Sequence, residues 1–365
     1  MAGKTTADRI SFSERMIQIL NDGALNLALA IGYQTGLLDA MDLMDDPQTA
    51  EHIAQQTGLN RRYIDEWLGV MVTGEIVELS LSPDGHNLYY LPKRCGDLIT
   101  RRAGNKNLGV YAQEMPLLTA SAMEGVIRGF KTGTGVTYDN YPKFHTFMAQ
   151  LADAKHRQVL VDQFLPSVDD GRIMGRLRAG IRVCDLGCAE GIALMLMAKA
   201  FPRSRFIGID ISQNAISKAQ REAHRQHISN LEFFKLDAAL LQDNRKLKET
   251  FDYVTAFDAI HDQTRPLDVL KGVHYILAPD GLFSMVDIAA ESNLADNLSH
   301  PMGPFLYTVS LMHCMPVGLV DDGAGLGMMW GRQKAVDMLE EAGFQNIQVQ
   351  EMPDDPFNFH FFSQK

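Results

Sequence analysis

The sequence predicts a Rossmann-like α/β domain in the C-terminal half of the chain, preceded by a mainly α winged-helix domain. Three observations predict it. An apolar strand, Val183-Cys184-Asp185-Leu186, runs into a glycine-punctuated turn at residues 187–191. Further apolar strands follow at regular spacing, and each stops at an acid. The first hundred residues read helix, turn, helix, hairpin. Together these divide the chain into a winged-helix domain over 1–95, a helical connector over 96–160 and the α/β domain over 161–365.

Residues 23–41 carry a strongly apolar helix pattern that breaks near Gly36, and residues 49–58 read as a short helix ending on glycine. Asn60 caps a helix over Arg61–Thr73, whose buried side is Trp67, Leu68, Val70 and Met71. Residues 75–79 and 87–91 alternate like a hairpin across Ser82-Pro83-Asp84-Gly85. A winged helix can read DNA if its second helix is basic. Here Arg61 and Arg62 are offset by Asp65 and Glu66, and the chain carries a formal charge of −11. No nucleic-acid partner is expected.

In the connector, residues 129–138 are glycine-rich but lack the Gly-Lys-Ser/Thr that follows a strand in a phosphate loop, so they read as a surface turn. Residues 140–152 place Phe144, Phe147, Met148 and Leu151 on one helical face with His145 beside it. That histidine is either structural or part of a substrate pocket.

The α/β domain opens with the 183–191 strand and turn. A helix over 192–198 and a second strand, 205–209, follow, and the strand stops at Asp210. Glycines let a backbone approach a ligand, and the acid can accept two ribose hydroxyls. The spacing alone fits NAD or S-adenosyl-L-methionine. Three details favour the latter. The loop Gly-Cys-Ala-Glu-Gly is not the Gly-x-Gly-x-x-Gly that seats a pyrophosphate. Asp185 sits where it would repel pyrophosphate but can orient an ammonium. The third strand, 231–236, ends in Asp237-Ala238, where a carboxylate can accept an adenine amine. The residues expected around this cofactor are Asp185, Gly187, Cys188, Gly191, Asp210, Ile211, Asp237, Ala238 and Phe257.

A fourth strand over 253–257 ends in Asp258-Ala259-Ile260-His261-Asp262-Gln263. Ligands in such sheets lie beyond the carboxyl ends of the strands, so His261 can serve as a base, with Asp262 orienting it or facing substrate. The fifth strand, 282–286, ends at Asp287. Residues 299–331 follow, rich in methionine and aromatics, and Trp330 and its neighbours read either as an apolar wall over a substrate or as ordinary core or dimer packing. Pro301, Pro304 and Pro316 predict that no uninterrupted helix spans this segment. Residues 346–350 and 354–362 alternate like strands, the latter as an edge.

At 365 residues the chain can bury two cores, and 46% apolar against 22% charged residues is ordinary for a globular protein. No apolar run reaches the roughly 18–20 residues of a membrane span, and the first sixteen residues lack the apolar core of a secretory signal. Cys95, Cys184, Cys188 and Cys314 match no zinc pattern and no disulfide framework. The expectation is a cytoplasmic protein with no bound metal.

With these motifs in hand, roughly residues 160–350 resemble the class I S-adenosylmethionine-dependent methyltransferases, with a seven-stranded sheet. The matching residues are VCDLGCAEG, GIDIS, KLDA and FDYVTAFDAIHD; Ala189 stands where the family usually has glycine. The order of domains is similar to that of the caffeate-type small-molecule O-methyltransferases. In that family the N-terminal domain builds a homodimer and closes over substrate, and the catalytic histidine lies in a His-Asp pair, matched here by His261-Asp262. Carboxylates at the fifth strand and before the sixth hold that histidine. Asp287 is a stand-in for one of them, whereas residues 325–331 offer no acid. His261-Asp262-Gln263, residues 323–327, Trp330 and residues 355–358 also resemble a related winged-helix methyltransferase group. The resemblance implies methyl transfer to O or S of a small molecule. It leaves open a non-methylating use of the same cofactor (hydroxylation or decarboxylation) and a winged-helix regulator.

Overall fold

The structure, a computed structural model, describes residues 11–352 and 355–365. The first ten residues of the expected N-terminal domain and Asp354 of the expected tail strand lie outside the described residues. The chain divides into two compact units, residues 1–117 and 118–365. Among the described residues no helix is long and apolar enough to cross a membrane.

In the first unit, α1 (Phe12–Gln34) starts eleven residues before the apolar pattern does, counting back from residue 23. The reason is a capping box: the Ser11 N–H donates to Glu14 Oε2 at 2.8 Å and the Glu14 N–H donates to Ser11 Oγ at 3.2 Å. α2 (Leu37–Asp42), α3 (Ala50–Thr57) and α4 (Arg61–Thr73) follow, the last two capped by Thr49 and Asn60. Leu38, Ile53, Ile64, Leu68, Met71 and Leu91 form the buried centre. The indole N–H of Trp67 donates to the Ala28 carbonyl at 2.8 Å and fastens α4 to α1. The wing is β1 (Glu78–Leu81) paired with β2 (Asn87–Tyr90). β1 begins later than the expected 75–79, because the N–H groups of Glu75, Ile76 and Val77 close off α4 by donating to Val72 and Met71 carbonyls. α1 leaves Phe12, Ile17, Leu20, Leu27 and Ile31 exposed.

The second unit is built on one seven-stranded sheet. Its strands are β3 (Arg182–Leu186), β4 (Arg205–Asp210), β5 (Leu231–Lys235), β6 (Phe251–Phe257), β7 (Leu277–Ile288), β8 (Gln345–Met352) and β9 (Asp355–Gln364), in the order β5-β4-β3-β6-β7-β9-β8. The first five in that order are parallel, so their carboxyl ends share one edge. β9 runs antiparallel between β7 and β8. The tail is therefore an interior strand, and β8 is the edge. Burial explains the exchange: His360, Phe361, Phe362 and Ser363 are all buried on β9, whereas β8 buries only Met352. Apolar layers cover both faces of the sheet. One contains helices Ile192–Ala200 and Gln213–Arg225, the other Pro266–Ile276 and Arg332–Ala342. Burial on both faces is why the parallel strands read as continuous apolar runs.

One segment departs from the sequence reading, and a second keeps to it while adding detail. Helix Glu114–Thr132 absorbs the start of the glycine-rich stretch, so the loop is only 133–137. As the prolines predict, no single helix spans 299–331, but residues 303–318 are continuously helical through Pro304 and Pro316. Pro304 lies in its first turn, where no N–H is required. Before Pro316 the chain widens into a π turn, Ser310–Cys314, and the Met315 N–H donates to the Ser310 carbonyl. Proline leaves the Met312 carbonyl without its usual i+4 donor, and the Tyr141 hydroxyl takes that place at 2.8 Å. The same arrangement occurs at Leu160–Phe164, a π turn two residues before Pro166.

Candidate active site

The turn after β3 brings together most of the residues expected around a cofactor. Gly187 and Gly191 have φ of +66° and +77°, and a Cβ on Gly191 would lie 2.3 Å from the Phe233 ring. Only glycine fits there. Gly187 and Cys188 donate their N–H groups to the Ile209 carbonyl, tying the turn to β4. Asp210, at the end of β4, accepts from the Ala189 N–H at 2.9 Å and the Ser212 N–H at 2.8 Å. Each of its oxygens keeps a lone pair for a ligand. Ile211 beside it is exposed.

Asp185 is buried at the end of β3 and accepts the Thr255 hydroxyl at 2.6 Å. Burial pushes its carboxyl up to about 7; the Thr255 hydrogen bond opposes the shift and the charge of Asp210 adds to it. Asp237 caps the turn that begins at Ala238, accepting from the Ala239 N–H at 2.9 Å, and its other oxygen accepts from Arg265 at 2.8 Å. Phe257, at the end of β6, packs edge-on against His156 and Phe164.

Beyond β6 and β7 lies a buried polar cluster. His261 Nδ1 is 2.7 Å from Asp287 Oδ1, and both side chains are buried. The same oxygen accepts from the Trp330 indole N–H at 3.2 Å and from the Ile288 N–H at 2.8 Å. Trp330, expected to face a substrate, is thus turned onto Asp287 and occupies the stretch where the sequence offers no acid. The second support of this carboxylate is a donor rather than another carboxylate. With Asp287 accepting at Nδ1, the second nitrogen of His261 points to Asp262, with Nε2 3.4 Å from Oδ1. Burial by itself would lower the imidazole; Asp287 and then Asp262 outweigh it and hold His261 well above its usual range.

The opposite wall was only partly legible in the sequence. His145 stacks on Tyr138 with ring centroids 3.6 Å apart, and its Nε2 lies 3.1 Å from Nε2 of His313. His313 and Cys314, both buried, come from the π turn within the methionine-rich segment. Burial and then the neighbouring His313 push His145 down to about 4. The pair is therefore neutral near pH 7, and one nitrogen donates to the other. Sequence reading passed over His313 and Cys314. The available signal was two titratable residues side by side inside an otherwise apolar run, Met312-His313-Cys314-Met315.

Comparison with known proteins gives a consistent picture. Residues 177–343 match the family model described as a methyltransferase domain, and residues 23–101 match an Rv2258c-like winged helix-turn-helix domain. The chain is 25% identical over 150 residues to a malonyl-[acyl-carrier protein] O-methyltransferase of Bacillus cereus, covering 41% of this chain and 48% of that protein. It spans about half the length of the curated relatives it matches first. The fold is shared with human N-acetylserotonin methyltransferase in complex with S-adenosylmethionine (TM-score 0.62, 14% identity, 98% of this chain and 99% of that one). It is also shared with an O-methyltransferase family protein of Burkholderia thailandensis (TM-score 0.66, 11% identity, 98% and 99%). The second unit is thus a methyltransferase domain with a Rossmann-like sheet, behind a winged helix.

Within that fold Ala189 is the departure, and it holds the left-handed conformation itself, with φ +46°. Strain of roughly 1–2 kcal/mol exceeds the roughly 0.5–1 kcal/mol of chain entropy that glycine would lose. Ala189→Gly is expected to raise stability by up to about 1 kcal/mol, and Ala189→Val to lower it by more than that, read from urea unfolding. A glycine variant clearly less stable than wild type would contradict the strain.

Proposed function

We propose that this chain transfers the methyl group of S-adenosylmethionine to oxygen or sulfur of a small-molecule acceptor. One observation carries the reading: a buried histidine with a fixed tautomer stands at the same sheet edge as a glycine turn flanked by strand-end carboxylates. The residues suit the cofactor. Gly187 and Gly191 leave room for close backbone approach, Asp210 keeps lone pairs for ribose hydroxyls, exposed Ile211 can cover an adenine, and buried Asp185 can pair with the amino acid ammonium. Asp237 would share its carboxylate between adenine and Arg265. When bound, the cofactor supplies an electrophilic methyl on a sulfonium leaving group.

The protein's part is alignment, exclusion of water and movement of one proton. His261 Nε2 accepts the proton of a hydroxyl or thiol. Asp287 accepts the Nδ1–H, which keeps Nε2 as the basic atom and stabilises the imidazolium that forms. Trp330 and the Ile288 N–H hold Asp287 in turn. Flanking carboxylates make His261 a strong proton acceptor whose neutral form is favoured on the alkaline side. Tyr138, His145 and His313 face it as an aromatic wall, with His145 and Asp262 placed to contact the acceptor.

We also infer a homodimer formed through the exposed apolar face of α1. A DNA-reading role lacks support from α4: Arg61 pairs with Asp65 and Glu51, at 2.9 and 3.1 Å, and Arg62 pairs with Glu66. All four cysteines are free, which suits a reducing, cytoplasmic setting.

Three measurements test this reading. His261→Gln is expected to keep S-adenosylmethionine binding and to lose about 10²- to 10⁴-fold in turnover with a hydroxyl acceptor; unchanged turnover would remove the base. The ionised form of Asp185 binds the ammonium, and its carboxyl lies near 7 in the free protein. Cofactor affinity should therefore rise on the order of tenfold from about pH 5.5 to 7.5, and Asp185→Asn should flatten that dependence in calorimetry. Light scattering should give twice the chain mass for wild type and the single-chain mass for an Ile17→Asp, Leu20→Asp variant; a monomeric wild type would refute the dimer.

A further inference from the structure

Three side chains, Asp262, His313 and Cys314, converge beside His261, and proton transfer does not need all of them. His261 and His313 each have one ring nitrogen committed outward: Nδ1 of His261 to Asp287 at 2.7 Å, Nε2 of His313 to His145 at 3.1 Å. Their inner nitrogens face one carboxylate, His261 Nε2 at 3.4 Å from Asp262 Oδ1 and His313 Nδ1 at 3.9 Å from Asp262 Oδ2. Cys314 Sγ lies 3.5 Å from His313 Nδ1. The facing atoms of His261, Asp262 and Cys314 all fall within 4.8 Å of one another, and His313 Nδ1 stands just outside that group, so it joins an ion only by moving inward. Asp262 Oδ1 is buried with no hydrogen-bond donor among the described residues. His313 and Cys314 are the last two residues of the π turn, and both are buried.

This is the chemistry of a metal site. Bonds of about 2.0–2.3 Å to nitrogen, oxygen and sulfur place tetrahedral ligand atoms roughly 3.3–3.7 Å apart; the pairs here stand at 3.4, 3.5 and 3.9 Å, and the others close in by small side-chain movements on an ion. A carboxylate and a thiolate balance the charge of a divalent ion in a buried place. Outward partners on both imidazoles are the usual way a protein fixes ligand tautomers. Zinc spacing patterns in sequence rest on separated pairs along the chain; these ligands come as two adjacent pairs, 261–262 and 313–314, and so match none.

We propose that His261, Asp262, His313 and Cys314 bind a divalent transition ion of the zinc type, and that the bound ion holds the protein out of methyl transfer by taking the Nε2 lone pair of His261. The second half rests on the function proposed above; the first does not. Binding releases the Cys314 thiol proton and, from the imidazolium form of His261, the Nε2 proton, and forms the metal–sulfur and metal–nitrogen bonds with no change of oxidation state.

The test is titration of the full chain with Co²⁺, read by absorption. One equivalent should give visible bands of four-coordinate intensity and a near-ultraviolet thiolate-to-cobalt band, both abolished by Zn²⁺. Cys314→Ser should lose the thiolate band and keep the visible bands, with affinity at least tenfold weaker. His145→Ala, which removes the outward support of His313 but no ligand, should weaken binding about 10- to 100-fold. Absence of the thiolate band in wild type would overturn the site, as would unchanged binding in a His313→Ala, Cys314→Ser double variant. Calorimetry with S-adenosylmethionine on the same samples separates a misfolded variant or a failed cofactor reading from a failed metal site. Zinc should suppress methyl transfer in wild type and leave it at least tenfold less affected in Cys314→Ser; equal suppression in both would overturn the inhibitory role.

Discussion

The site depends on one buried oxygen. Asp287 Oδ1 receives a histidine nitrogen, an indole N–H and a backbone N–H at once, from the loop after β6, the segment before the last helix and its own strand. Removing such a carboxylate from water is unfavourable by several kcal/mol, and multiple hydrogen bonds are what make it tolerable. In exchange the three segments are fixed against one another. His261 inherits its orientation from that junction, so any change in the 325–331 stretch reaches the histidine through Trp330.

A second constraint acts from the other wall. Pro316 would ordinarily interrupt the 303–318 helix. The wider π turn and the Tyr141 hydroxyl absorb the lost hydrogen bond, so the helix continues and its register shifts locally. His313 and Cys314 close that π turn, and His313 Nδ1 lies 3.9 Å from Asp262. The repetition of the device at Pro166 shows that proline here sets where a helix is re-aimed rather than where it ends.

How much of this was legible in the sequence follows from the range of each signal. Local signals carried well: Asn60 and Thr49 cap their helices, and the parallel strands announce themselves by unbroken apolar runs because both faces are buried. The strand-end acids and His261 with Asp287 were readable because the fold puts strand termini at one edge. Ser11 and Glu14 already spelled a capping box, and Phe12, Met16, Ile17 and Leu20 follow at helical spacing, so the first half of α1 was legible although the apolar pattern was read only from residue 23. Nonlocal facts did not carry. The order of β8 and β9 is decided by pairing with β7, and a hydroxyl 171 positions from the carbonyl it caps cannot be inferred from spacing. Trp330 reads as lining or core because an aromatic sits in a methionine-rich run, and its indole hydrogen bond to Asp287, 43 positions away, is a contact that spacing does not reveal.

The chain has two tryptophans, and the fold deals one to each unit. Trp67 donates to a backbone carbonyl in the winged helix, whereas Trp330 donates to the carboxylate that holds His261. Indole emission responds to nearby charge and polarity, so the two fluorophores report on different surroundings. With Trp67 replaced by phenylalanine, the remaining emission is an intrinsic optical gauge of the electrostatic state beside His261, readable in real time and without any added label.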